Sequence, residues 1–189
     1  DSDEVNSIDD TIEATQVAEI IRSTYMDMHS NRNWPNRKQL VNLVAYSDST
    51  KPTHMKIDDD FTEIITIKYD KARSGETRKR YEDVNWKEPD DFLRFTNRRN
   101  SDETDIDIIV DPSGVDLLIK NDLHPTYYTS FDDYTIVFDS YLSTVDSTLQ
   151  SSKTQCMAYD FTEFTLDDDF TPYMPVEACS ALLNEASGR

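Results

Sequence analysis

Carboxylates dominate the charged groups of this chain, with 38 Asp and Glu against 19 Lys and Arg in 189 residues and a formal net charge of −19. Two runs, Asp58-Asp59-Asp60 and Asp167-Asp168-Asp169, resemble the start of a calcium site. Calcium loops alternate their oxygen donors, turn on a central glycine and close on a Glu. Neither run has that spacing. Consecutive residues on an extended chain point to opposite faces, so three adjacent Asp do not converge on one ion. Both runs read as solvated loops. Paired carboxylates of the glycosidase kind need a fixed separation, and acids this abundant put some pairs at that separation in any fold. Nothing in the sequence picks one pair out. His29, His54 and His124 are far apart and lack HxxxH or HExxH spacing; His124 precedes Pro125 and reads as a turn residue. Hydroxyls are plentiful, but there is no GxSxG elbow. Three glycines in the whole chain leave little for a loop that cradles phosphate. Cys156 and Cys179 form neither a CxxC motif nor a disulfide framework; Cys179 reads as a small core residue on a helix face. The expectation is therefore no catalytic, cofactor-binding or metal-ligating residue, and no cofactor.

Cations are sparse. One dense run, Arg78-Lys79-Arg80, and one pair, Arg98-Arg99, stand out. Tight, sequence-independent DNA binding uses clustered Lys and Arg to release phosphate counterions. The run is thus a candidate DNA-facing contact, although it reads more simply as a solvated hairpin tip, and the pair as a helix end. An acidic surface repels nucleic acid. The richest aromatic stretch holds Tyr127, Tyr128, Phe131, Tyr134, Phe138 and Tyr141. A base-stacking platform would need a cationic groove beside these rings, but their neighbours are Asp132, Asp133 and Asp139. They read as the packing of a β core or as a Tyr-rich subunit interface.

The elements that must carry these residues follow from periodicity. The hydrophobic fraction is only 37%, but ten Tyr and eight Phe supply core area. Ile12, Val17, Ile20, Ile21, Thr24, Tyr25 and Met28 fall near one helical face, which predicts a helix over 8–29 capped at Ser7. Trp34-Pro35 breaks it, and Arg37, Leu40, Val41, Val44 and Ala45 predict a second, shorter helix. The period then changes. Strands are expected over 62–70, 81–86, 105–111, 115–119, 126–131, 134–138 and 154–164. Gly75 should tip the first hairpin and Asp111-Pro112-Ser113-Gly114 should turn the second. Glu88-Pro89-Asp90-Asp91 opens a short helix near 89–98 carrying Phe92, Leu93 and Phe95. A last helix over 175–185 should turn Val176, Cys179, Leu182 and Leu183 inward.

This order predicts an α+β fold: terminal helices forming a helical bundle, with an antiparallel β region inserted between them. The parts would be a helical 1–60, a β-rich 61–164 and a C-terminal helix in 165–189 that packs on the N-terminal helices. No run is long and apolar enough for a membrane span, and no signal peptide is visible. The chain starts without Met and stops soon after a helical pattern, so it is expected to be an ordered fragment of a longer product.

Three blocks carry a resemblance to a known family. The first is Asp9-Asp10-Thr11-Ile12-Glu13-Ala14-Thr15-Gln16-Val17-Ala18, running into Ile20 and Tyr25. The second is Lys51-Pro52-Thr53-His54-Met55. The third is 125–150, followed by Asp168-Asp169-Phe170, Pro175 and Leu182-Leu183-Asn184-Glu185. Together they resemble the head-to-tail adaptor (connector) proteins of podovirus-type tailed bacteriophages. The resemblance implies a helical bundle with an inserted β region, a ring of twelve copies, and two partners: the portal protein above and the next tail component, a nozzle or tail tube, below. It also implies a non-enzymatic structural role in the virion neck, assembly in the host cytoplasm, and duplex DNA passing through without specific binding. Two other classes stay open on residue types alone: a carboxylate-dependent hydrolase of cell-wall glycans, and an acidic DNA mimic that binds a host protein.

Overall fold

The structure is a computed structural model that describes every residue except 1–6, 9, 32, 47, 58–60, 73–74, 133, 161–163 and 189. The Asp58-Asp59-Asp60 run therefore lies outside the described residues, as does Asp133. The chain divides into two compact units, one of residues 1–38 with 160–189 and one of residues 39–159.

The second unit holds most of the regular structure. Its strands are β1 (Lys38–Val41), β2 (Val44–Ala45), β3 (His54–Lys56), β4 (Phe61–Asp70), β5 (Tyr81–Trp86), β6 (Ile106–Val110), β7 (Asp116–Lys120), β8 (Tyr127–Ser130), β9 (Thr135–Phe138) and β10 (Thr154–Asp160). Eight of them form one curled sheet in the order β1-β10-β4-β5-β8-β9-β3-β2, and β6 pairs with β7 alone. The large sheet is mixed: β5 runs parallel to β8, whereas β4–β5, β8–β9, β9–β3 and β3–β2 are antiparallel. Leu43, Met55, Ile67, Phe92, Ile136 and Phe138 are sealed from solvent in its core.

This corrects the expected fold class. The protein is mostly a curled mixed sheet of eight strands plus a small two-stranded sheet, with three α-helices among the described residues. It is not a helical bundle carrying an antiparallel insertion. The misreading began at residues 37–45, expected as a helix. Pro35–Arg37 is a single 3-10 turn, and the chain then extends into β1 and β2. A short apolar run fits either period, and tertiary partners decide between them. Here Arg37 is 3% exposed, and its guanidinium donates to the Asp160 carbonyl at 2.6 Å and to the His29 carbonyl at 3.4 Å. Leu40 and Val44, expected on an apolar helix face, are exposed.

The local signals explain the remaining elements. α2 (Pro89–Thr96) starts on a proline whose missing N–H costs nothing in the first turn, with Asp90 and Asp91 beside the positive helix end. It buries Phe92 and Thr96. The β6–β7 turn closes with the Gly114 amide donating to the Asp111 carbonyl at 2.8 Å. Gly114 has φ of 87°, a region that strains any residue with a Cβ.

In the first unit, α1 (Ile12–Ser30) begins later than expected. Thr11, not Ser7, is its N-cap: the Thr11 hydroxyl accepts from the Ala14 amide at 3.0 Å. The Ile8 amide instead donates to the Asp168 carboxylate at 3.0 Å. α1 contacts α3 (Val176–Ser187) around Tyr25, Met174, Ala178 and Leu182. Of the residues expected inward on α3, Leu182 is buried and Cys179 half-buried, but Val176 and Leu183 are exposed.

Candidate functional site

The aromatic stretch spreads over different environments. Tyr128 and Phe138 face each other across β8 and β9 with ring centroids 6.3 Å apart, 4% and 0% exposed. Burial pushes the Tyr128 phenol up to about 12. Tyr141 is also buried, and its hydroxyl donates to Asp107 at 2.5 Å. Tyr127 is half-buried, with the Lys87 ammonium 4.1 Å from its ring centroid and Phe95 edge-on to it. Phe131 and Tyr134 are exposed at the β8–β9 turn. The six rings therefore form no single platform.

Asp139, which the sequence offers only as an acidic neighbour of those rings, is the buried hub of this region. Its carboxylate accepts from the Thr126 and Tyr127 amides at 2.9 and 2.8 Å and pairs with the Arg99 guanidinium at 3.0 Å. Arg99 also donates to the carbonyls of Leu118 and Asp139. A carboxylate just past the end of a β-strand carries no periodic signature for such a role. The signal that existed was Arg99 itself, a few residues past the end of α2 and ahead of a strand-rich segment. Arg99 is thus held inside the fold, while Arg98 is exposed.

Arg78, Lys79 and Arg80 are all exposed at the loop of the β4–β5 hairpin. The base of that loop is tied by Asp70, which accepts from the Ala72 and Arg80 amides at 3.0 and 2.8 Å. Burial works against ionisation of Asp70, but those two amides, aided by the charges of Lys79 and Lys153, outweigh it and hold its pKa below the usual carboxylate value. The basic tip is presented on a fixed stem.

The histidines take three separate positions. His54 is sealed in the core of the second unit, and its Nε2 lies 3.2 Å from Asp111. Burial lowers the His54 affinity for a proton, and the Asp111 hydrogen bond only partly opposes this. A neutral ring donating from Nε2 to the Asp111 carboxylate fits both partners. His29 stacks on Tyr25 at 4.1 Å, and His124 lies in the segment before β8. Burial lowers the proton affinity of both. Cys156 is buried and its thiol is pushed up to about 12, so it is no nucleophile at neutral pH. No group of three or more metal-ligating side chains gathers among the described residues. Asp168 instead receives the Ile8 amide at 3.0 Å.

The surface that stands open is apolar. On α1, Ile12 is 76% and Val17 55% exposed, with Ile20 beside them; on α3, Val176 is 82% and Leu183 57% exposed. Ile12 and Ile20 share a shallow groove with Gln16 and Glu19, and Val17 lines a second groove with Ile21 and Asp168. The two helices bury one face against each other and leave these side chains in water, where large apolar groups usually mark contact surfaces. No helix among the described residues is long and apolar enough to cross a membrane. Compared with known proteins, the chain matches no family model and no curated protein.

Proposed function

We propose that this chain is a non-enzymatic structural subunit of a virion neck, one of a ring of twelve copies that joins a portal to the next tail component of a short-tailed bacteriophage. The observation that carries this reading is the apolar surface left open on α1 and α3 by Ile12, Val17, Ile20, Val176 and Leu183. A pair of helices with that much uncovered apolar surface is built to be covered by another chain. The first and third resembling sequence blocks supply α1 and part of α3, so they coincide with that surface. The mixed eight-stranded sheet differs from the bundle that the resemblance implies, so the reading rests on the sequence blocks and the open helices rather than on architecture. In this role the protein assembles in the host cytoplasm, sits in the virion neck and lets duplex DNA pass without gripping it. The test is a labelled copy imaged in particles of the encoding phage, with co-sedimentation on portal rings over a range of salt. Label in the neck and binding to portal rings are expected. Purified virions that lack the protein, or portal rings that never bind it at any salt, overturn the reading.

A further inference from the structure

The β4–β5 hairpin is zipped over only part of its length. Its register runs from Asp70 opposite Tyr81 at the loop end to Ile67 opposite Val84. Beyond Ile67 the strands part. β5 goes on to pair in parallel with β8, Asn85 opposite Tyr127 and Trp86 opposite Tyr128. A cleft of about 750 Å³ opens at the parting. Phe61, Ile64 and Ile65 line one wall, and Val84, Trp86 and Tyr128 the other. Glu63 and Asp83 are the charged residues of the lining, and both are exposed. Trp86 is 46% exposed, edge-on to Tyr128 at 5.3 Å, and its indole N–H donates to Glu88 at 3.3 Å. An exposed indole beside carboxylates, over an apolar floor, is a receptor for a cationic side chain with a long apolar stem.

The opposite end of the same hairpin carries such side chains, Arg78, Lys79 and Arg80, in the densest cationic run of a chain whose net charge is −19. Two copies of so acidic a molecule repel each other, so their association needs a local match of opposite charge. Within one copy, the paired stretch 69–70 against 81–82 stands between the tip and the cleft, whose lining starts at Asp83 and Val84. The tip must therefore use the cleft of another. We propose that the basic tip of one copy seats in the β4–β5 cleft of the next, so that this hairpin is the head-to-tail joint of a homo-oligomer. The inference rests on the ring reading for closure, since a head-to-tail contact makes a ring if the rotation closes and a filament if it does not. Asp83 already lies 3.4 Å from Lys68, but that pair is largely solvated and leaves the carboxylate open to a second cation.

The test is sedimentation velocity of the purified chain over a concentration series at low and high salt. Wild type should self-associate, and less so as salt rises. The triple variant R78E/K79E/R80E and the double variant E63K/D83K should each associate at least tenfold more weakly while keeping the wild-type circular dichroism. Mixed in equal amounts they should assemble again, because each tip then faces a cleft of opposite charge on the other variant. Wild-type assembly by either variant alone, or a mixture that stays dissociated, overturns the joint. So does a wild-type chain that stays monomeric both alone and on portal rings. Should a charge reversal disturb folding, Lys79→Cys with Glu63→Cys in a Cys179→Ser chain replaces it. A disulfide between copies under mild oxidation is expected, and none between copies refutes the contact. Assembly insensitive to these changes in a chain still found in the neck removes the joint and leaves the ring reading. Absence from the virion with the charge-swap result intact removes the ring reading and leaves the joint.

Discussion

Asp139 shows how much of this fold hangs on single buried polar residues. Its carboxylate satisfies the Thr126 and Tyr127 amides and the Arg99 guanidinium at once, and its side chain is 2% exposed. Removing one partner of a buried pair strands the other charge, which costs about 3–5 kcal/mol. Asp139→Ala and Arg99→Ala are each expected to lower the unfolding free energy by that amount, and the double variant by clearly less than the sum. Full additivity in chemical denaturation would mean that the two residues act separately. Phe138 and Tyr134 make a second contrast within one hairpin. Phe138 is fully buried and Phe138→Ala should cost roughly 3–5 kcal/mol. Tyr134 is 60% exposed, and Tyr134→Ala should stay within about 0.5 kcal/mol. A near-zero effect at Phe138 would mean that its ring is not in the core. The histidines make stability depend on pH. Burial holds the proton affinity of His29, His54 and His124 below the ordinary value. On acidification the unfolded chain therefore takes up protons first, around pH 6.5. Stability should be full above that pH, fall as pH drops through it, and level off once the folded rings protonate as well. Unfolding free energies that stay flat or rise from pH 7.5 to 5.5 would contradict this.

At the scale of elements, legibility followed the strength of local punctuation. The hairpins at 61–86 and 127–138 lie where strand alternation and their turn residues put them, and α2 starts at the expected Pro89. The β6–β7 turn falls on its Pro-Ser-Gly signal. Residues 37–45 misled because Leu40, Val41, Val44 and Ala45 fit a helical stripe, while the buried Arg37 that pins the chain in an extended course has no periodic signature. The parallel pairing of β5 with β8 was equally invisible, since it joins segments separated by α2 and the β6–β7 hairpin. Of the candidate surfaces, the basic tip could be read from sequence because it is a run. The cleft could not, because it exists only where two strands part in space. α1 illustrates both sides: its course and its end near His29 were clear, but its start lies four residues later than expected and half its apolar stripe faces water, a division that period alone cannot make. Its N-cap makes a clean test. Thr11→Ala should cost about 1 kcal/mol, read by thermal unfolding, and no change would mean that another group caps Ala14. Val17→Ser, at a 55% exposed position, should leave stability within about 0.5 kcal/mol. If α1 is a contact surface, the same change should weaken binding to portal rings. Unaltered binding would move the contact elsewhere.

At the scale of the whole molecule, charge decides how this protein would respond to DNA in the proposed role. It carries 38 carboxylates against 19 cations, and its cations are further depleted by internal use. Arg99 is committed to Asp139, Arg37 to backbone carbonyls, and Lys120 and Lys153 to Asp105 and Asp146. Binding a duplex by its phosphates requires several cations arrayed on one surface. The basic tip offers three in a row, and in an assembled ring the proposed joint covers them. Phosphates passing the remaining surface meet repulsion, screened within about 8 Å at physiological salt. In the proposed conduit, such a wall would keep DNA centred and let it slide. The isolated chain is therefore expected to show no measurable binding to duplex DNA at physiological salt in a fluorescence anisotropy titration. The assembled protein should behave the same way. Micromolar binding that falls steeply with salt and vanishes when Arg78, Lys79 and Arg80 are all replaced by Ser would overturn this. It would make the hairpin tip a DNA contact and leave the cleft of the neighbouring copy without its occupant.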